Sequence, residues 1–189
     1  MKIKDLEVIR TSSPLHKTAG TNWLFVKILT DTDIVGWGEG SLQYKDSALE
    51  AEICDMKKFL IDKNPLNIED IWTSLFRRVT WSGGAVTMSA ISAIDLALWD
   101  IKGKAYGVPV YDLVGGKTRD KVKVYANGWF ENISLSSPTA RKESPKLYAE
   151  SASKLVDDGW KALKFYPFGG PQVTTPEQIF DGVNLVEVV

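Results

Sequence analysis

The segment KALKFYPFGG, residues 161–170, holds the side chains best placed for acid–base chemistry in this chain. Strand side chains alternate between faces, so Lys164 and Tyr166 share one face while Leu163 and Phe165 share the other. In a βα array the carboxyl end of a strand is where ligands bind, and the two polar groups would project into a mouth lined by the other strand ends. An ammonium held there beside apolar walls loses solvation of its charged form, which lowers its pKa and makes it attractive to an anionic substrate. Spacing alone leaves a structural alternative open, in which Lys164 snorkels to the rim and Tyr166 packs.

Other reactive residue types are sparse. His16, the only histidine, lies in the loop SSPLHKTAGT, and a lone loop histidine reads first as a solvated side chain. Cys54 has no partner for an internal disulfide and falls in a helical pattern, so it reads as a reduced packing residue. One histidine and one cysteine far apart make no zinc site of the usual kind within the chain. Asp95 and Asp100 sit in a helical pattern without a carboxylate cluster, and read as hydrogen-bonding or salt-bridging groups, not metal ligands. GWGEG spaces Gly36, Gly38 and Gly40 at alternate positions, but it lacks the third glycine of a dinucleotide fingerprint and closes a meander instead of opening a helix. GGKT at Gly115 to Thr118 resembles the end of a phosphate loop, yet Tyr111 stands where the first glycine belongs and a strand follows. The sequon Asn132-Ile133-Ser134 carries meaning only in a secreted chain.

Composition restricts the partners. The chain has 189 residues, 44% hydrophobic and 25% charged, with a formal charge of −1, enough apolar material for a real core and no basic stripe for nucleic acid or polybasic patch for a membrane. No run of about 18 apolar residues occurs, and the opening MKIKDLEVIR alternates charged and apolar residues. Cytoplasmic residence is the expectation.

The elements that must position Lys164 and Tyr166 follow from periodicity. KIKDLEVIR, NWLFVKILT and VGWGEG read as strands, the last two joined by Asp31-Thr32-Asp33, giving a three-stranded antiparallel meander. A helix is expected to open at Ser47 with a capping box to Glu50, burying Leu49, Ile53, Met56 and Leu60, and to end at Asn64-Pro65. NIEDIWTSLFRRV gives a second helix with Ile68, Ile71, Trp72, Leu75 and Val79 on one side. MSAISAIDLALWDIKGKAYG gives a third, apolar almost all round and therefore central, stopped by Gly107 and Pro109. Strands then helices mean an α+β domain. Beyond it KVKVYANGW, SPKLYAESASKLVDDG, KALKFYPF and TPEQIFDGVNLVEVV alternate strand and helix, the last opening with a Thr175–Gln178 capping box. That is the rhythm of a parallel sheet with helical crossovers.

GGAVTMSAISAIDLALWDIKGKAYGVPVYDLVGG, residues 83–116, resembles the helix-to-barrel junction of the mandelate racemase / muconate lactonising branch of the enolase superfamily, and most of all its acid-sugar dehydratases of the galactonate, gluconate and mannonate type. The resemblance implies an α+β N-terminal capping domain over residues 1–115 and the first two βα units of a modified TIM (β/α) barrel over 116–189. It implies removal of the proton alpha to a carboxylate by a base, with Mg²⁺ stabilising the enediolate, and loss of the 3-hydroxyl in the dehydratases. A small-molecule carboxylate of the acid-sugar class is then the substrate. The open edge and apolar faces of an unclosed parallel sheet lead one to expect a homo-oligomer, or a chain that aggregates or needs a complementary piece.

Carried onto this chain, the family's Lys-x-Lys pair places its first lysine at Lys164 and puts Tyr166 where the second residue, often the base, would stand. With a reference pKa of about 10, a phenol is better suited to donating a hydrogen bond or a proton than to abstracting one, which shifts the base to a histidine on a later strand. Asn127, at the end of the first barrel strand, is expected to contact substrate. The segment Ser12 to Thr21, with His16 and with Trp23 nearby, matches the family's mobile specificity loop, and Ser41 to Lys45 a second cap segment. The family's metal ligands come from the third, fourth and fifth barrel strands, which are expected beyond this chain; alone, it is expected to be inactive. A racemase or epimerase of the same superfamily and a non-catalytic truncated remnant are the alternatives.

Overall fold

Strands β1 (Ile3–Ser12), β2 (Asn22–Thr30) and β3 (Val35–Gly40) form an antiparallel sheet in that order, the meander expected from the alternating pattern. The computed structural model describes residues 1–12, 22–77, 80–130, 133, 138–168 and 175–189. His16, the rest of the loop 13–21, Val79 and most of the sequon fall outside that set. Alternation does its work on β2: Leu24, Val26 and Ile28 are buried under helices, whereas Lys27 on the opposite face meets Glu7 across the register at 3.2 Å.

Helices α1 (Asp46–Met56) and α3 (Ala85–Tyr106) cover the inner face, α2 (Ile68–Arg77) packs on α3, and the short α4 (Val110–Leu113) follows. Leu49, Ile53, Met56 and Leu60 are buried as the spacing requires, as are Ile68, Ile71 and Leu75, while Trp72 stacks on Phe76 with ring centroids 5.2 Å apart. α3 is the central helix: it packs on β2, β3, α1, α2 and α4 and buries Ala90, Ile91, Ala93, Ile94, Ala97, Leu98 and Ile101. Gly107 ends it in the left-handed conformation, φ 70°, with its N–H returned to the helix carbonyls.

Three local expectations are corrected. α1 begins at Asp46 behind Lys45 and has no side-chain cap; the Ser47 hydroxyl instead accepts from the Arg10 guanidinium at 3.1 Å, so a partner on β1 takes the group that local capping would have used. α1 also ends at Met56, passing into a 3₁₀ turn at Lys57–Phe59 well before Asn64-Pro65. Cys54 is exposed, because the buried stripe of α1 runs through residues 49, 53 and 56 and leaves position 54 about 100° off it.

The chain divides into two compact units, Met1–Thr118 and Arg119–Val189. In the second, α5 (Pro138–Asp157) packs on α6 (Pro176–Val188), around Ala126, Tyr148, Ala152 and Leu185. The Thr175 capping box is formed, its hydroxyl accepting from the Gln178 N–H and the Gln178 carboxamide oxygen accepting from the Thr175 N–H. The two segments expected as strands, KVKVYANGW and KALKFYPF, form no regular strand among the described residues and meet in parallel at one bridge, Ala126 to Leu163. A parallel pair depends on cover from both faces, and here Val122 and Val124 are 73% and 66% exposed while Gly128 turns the chain away at φ 76°. Among the described residues no helix is long and apolar enough to cross a membrane.

Candidate functional site

The single bridge fixes which side chains of the second unit face together. Ala126 N–H donates to the Ala162 carbonyl at 3.0 Å and Lys164 N–H to the Ala126 carbonyl at 2.9 Å. Bridged residues point to the same side of a sheet, so Ala126, Leu163 and Phe165 form one face, and Tyr125, Asn127, Lys164 and Tyr166 the other. The first face is the packed one. Ala126 is buried, and Phe165 lies against Tyr148 on α5 and against Trp129, with centroids 5.7 Å from each.

The second face carries the chemistry. Lys164 Nζ lies 5.3 Å from the Tyr166 ring centroid and 5.9 Å from that of Tyr125, so the ammonium is flanked by two aromatic rings. Both phenols are open, Tyr166 at 56% and Tyr125 at 53% exposure, whereas Lys164 itself is half-buried. Asn127 is exposed on the same face. A cation, two phenol hydroxyls and a carboxamide can together bind a carboxylate and neighbouring hydroxyls. Beneath them the aromatic cluster is tight: Trp129 contacts Phe130 and Tyr148 with centroids 5.6 Å away in each case, and Phe130 meets Tyr166 edge-on at 5.9 Å. Burial pushes the Tyr148 phenol above its ordinary value, as befits a packing residue.

The structure thus brings Lys164, Tyr166 and Asn127 onto one face. Trp23 belongs to the first unit, exposed on the outer face of the sheet opposite Thr11. Ser41, from the expected second cap segment, lines a groove of about 450 Å³ with Glu39, Met88, Ser89, Ser92 and Leu96. Tyr125 and Trp129 were not among the expected site residues. Period two in KVKVYAN already put Tyr125 with Asn127, so a signal for Tyr125 was there. None existed for Trp129, whose role depends on a contact 35 positions away.

The remaining motifs resolve as structure. Gly36 and Gly38 let β3 lie directly against the α3 backbone. Asp100 accepts from the Trp37 N–H at 2.8 Å and from Lys104 Nζ at 2.6 Å, a structural role in the first unit. Desolvation, reinforced by nearby Glu69, raises the Asp95 carboxyl above its ordinary value. Among the described residues there is no group of three or more His, Cys, Asp or Glu that could hold a metal ion.

Comparison with known proteins bears on the family and the fold. Residues 3–115 match the N-terminal domain of the mandelate racemase / muconate lactonizing enzyme family. A D-galactonate dehydratase of Xanthomonas axonopodis pv. citri is 48% identical over 107 residues, 57% of this chain and 28% of that protein. A member of the enolase superfamily from Salmonella Typhimurium superposes with TM-score 0.80 at 30% identity, over 99% of this chain and 50% of its own. A mandelate racemase/muconate lactonizing enzyme from Sulfitobacter sp. does so with TM-score 0.78 at 33% identity, over 100% of this chain and 49% of its own. The chain therefore spans about half the length of those solved structures.

Proposed function

Because the chain belongs to the mandelate racemase / muconate lactonizing enzyme family through residues 3–115, we propose that it forms the capping domain and the opening of the barrel of an acid-sugar dehydratase. Residues 1–115 are the cap and 116–189 the start of the barrel. The likeness to D-galactonate dehydratases, close to half identical over more than half of this chain, carries the reading. The reaction removes the proton alpha to the substrate carboxylate, passes through an enediolate and loses the 3-hydroxyl as water, leaving a 2-keto-3-deoxy acid.

The face around Lys164 supplies part of that chemistry. The ammonium attracts the carboxylate of the substrate, and the half-buried setting strengthens the attraction relative to bulk water. Tyr166 donates a hydrogen bond or a proton to the developing oxyanion, a role that a phenol fills better than proton abstraction at neutral pH. Asn127 binds a hydroxyl of the acid sugar, and His16 and Trp23 are the further substrate contacts that the family reading carries over. Magnesium is the metal the family reading implies. No ligand set for it exists among the described residues, so no step here runs through it.

The test is an assay of the protein expressed from the whole reading frame, with Mg²⁺ and a panel of aldonic and aldaric acids, followed by product analysis. A 2-keto-3-deoxy acid, formed from galactonate or a close relative, supports the dehydratase. An epimer would make it a racemase, and no turnover of any acid would make it a non-catalytic remnant.

A further inference from the structure

Lys164 stands one residue past the one parallel bridge found among the described residues, with its N–H still on the ladder and its carbonyl past the last backbone bond. The ladder begins regularly, with Ala126 N–H on the Ala162 carbonyl and Lys164 N–H on the Ala126 carbonyl. Its next bond would run from Gly128 N–H to the Lys164 carbonyl. Gly128 instead adopts φ 76°, which swings the chain off the ladder. The Lys164 carbonyl accepts from the Trp129 indole Nε1–H at 2.9 Å. A side chain has taken the place of the backbone donor.

We propose that Trp129 is a positioning residue for this site: its indole N–H replaces the ladder bond given up at Gly128 and so fixes the Lys164–Phe165 peptide that sets where the Lys164 ammonium and the Tyr166 phenol stand. The indole can do this because it is itself held, packed by Phe130, Tyr148 and Phe165 with centroids between 5.6 and 5.7 Å. Tyr148 is buried on α5, so the packing of that helix is transmitted through one ring to one carbonyl. Trp129 touches no substrate in this arrangement and acts only through Lys164. The geometric part stands without any ligand; its consequence for binding rests on the acid-sugar reading above.

The experiment uses the 189-residue chain with its lysines reductively methylated with ¹³C, the Lys164 resonance being assigned by its absence in Lys164→Arg. Rings on both sides of Lys164 Nζ displace that resonance from the position of an exposed lysine. Trp129→Phe keeps an aromatic ring in the cluster and removes the donor. The expected result is a Lys164 resonance moved toward the exposed-lysine position while the unfolding temperature of the first unit stays where it was, and, in the protein expressed from the whole reading frame, a galactonate affinity lowered about tenfold by the same substitution. An unmoved resonance in a folded variant overturns the proposal. If the protein expressed from the whole reading frame shows no response to galactonate but Trp129→Phe still moves the resonance in the 189-residue chain, the acid-sugar reading fails and the positioning role stands. Should the variant not fold, indole hydrogen exchange in the unmodified chain decides: protection at Trp129 well above that at Trp81, which is 91% exposed, supports the bond, and exchange as fast as at Trp81 overturns it.

Discussion

A Cβ added at Gly38 would stand 2.0 Å from the carbonyl oxygen of Ala93, which places the backbone of β3 directly on the backbone of α3. Gly36 is in the same position one turn along, with the Ala97 carbonyl oxygen 2.2 Å from its added Cβ. The alternate glycines are therefore a packing device, and the obstacle they avoid is rigid backbone. Gly38→Ala should push α3 off the sheet and cost about 1–3 kcal/mol or more, the usual penalty for overpacking a core. Urea unfolding should show a lower midpoint at unchanged slope. A midpoint equal to that of the parent chain would mean that α3 is free to move.

Asp100 and Lys104 protect the free edge of the same strand. Trp37 N–H, which points away from β2, donates to the Asp100 carboxylate at 2.8 Å, and Lys104 Nζ donates to the Val35 carbonyl at 2.7 Å. Two of the edge groups that could pair with another sheet are thus taken by one helix turn. Asp100→Ala should cost roughly 1–2 kcal/mol, since hydrogen bonds to charged groups exceed neutral ones but these are partly solvated. It should also speed amide exchange at Trp37. A double-mutant cycle with Lys104→Met should show coupling, because the two side chains bond each other as well; additive effects would separate them.

Acid titration should act in opposite directions on different carboxylates. The Lys2 N–H donated to Asp31 holds its carboxyl below the ordinary value near 3.8, and the Lys57 ammonium, followed by the Leu6 N–H, does the same for Asp5. A depressed folded pKa adds stability above about pH 3.8 and loses it as pH falls through the folded value. Asp95 is raised instead, mainly by desolvation, so its ionisation opposes folding as pH climbs from 3.8 through its folded value. Asp31→Asn and Asp5→Asn should lower the unfolding temperature at pH 7 and converge on the parent in acid. Asp95→Asn should raise it at pH 7 and converge likewise. Scans of unfolding temperature between pH 2.5 and pH 7 would check both signs.

What could be read in the sequence follows the range of the interactions involved. The meander, α3 with its Gly107 stop, and the Thr175 capping box were legible because period, cap and terminator all lie within a few residues. The Ser47 cap was misread because its competitor, Arg10, is 37 residues away on β1. The GWGEG spacing excluded a nucleotide site but could not disclose that Ala93 and Ala97 press on it. At the site, alternation put Lys164 and Tyr166 on one face, and the same rule applied to the preceding strand segment places Tyr125 there as well. The hold on the Lys164 carbonyl was beyond reach, since it needs a fold to bring Trp129 across.

Under the proposed dehydratase reading, the two residues of the KFY segment should fail in different ways. Lys164→Met keeps the length and apolar stem of the side chain and removes the cation, so the carboxylate loses its partner in ground state and transition state alike, and KM should rise more than kcat falls. Tyr166→Phe keeps the ring that packs on Phe130 and removes only the hydroxyl, so it should leave KM nearly unchanged and lower kcat by roughly 10²–10⁴ if the phenol supplies a proton. His16→Ala should raise KM if that side chain contacts substrate. Steady-state kinetics with D-galactonate on the protein expressed from the whole reading frame would measure all three. A Tyr166→Phe enzyme with parental kcat would reduce the phenol to packing and leave Lys164 as the only member of the pair with a chemical role.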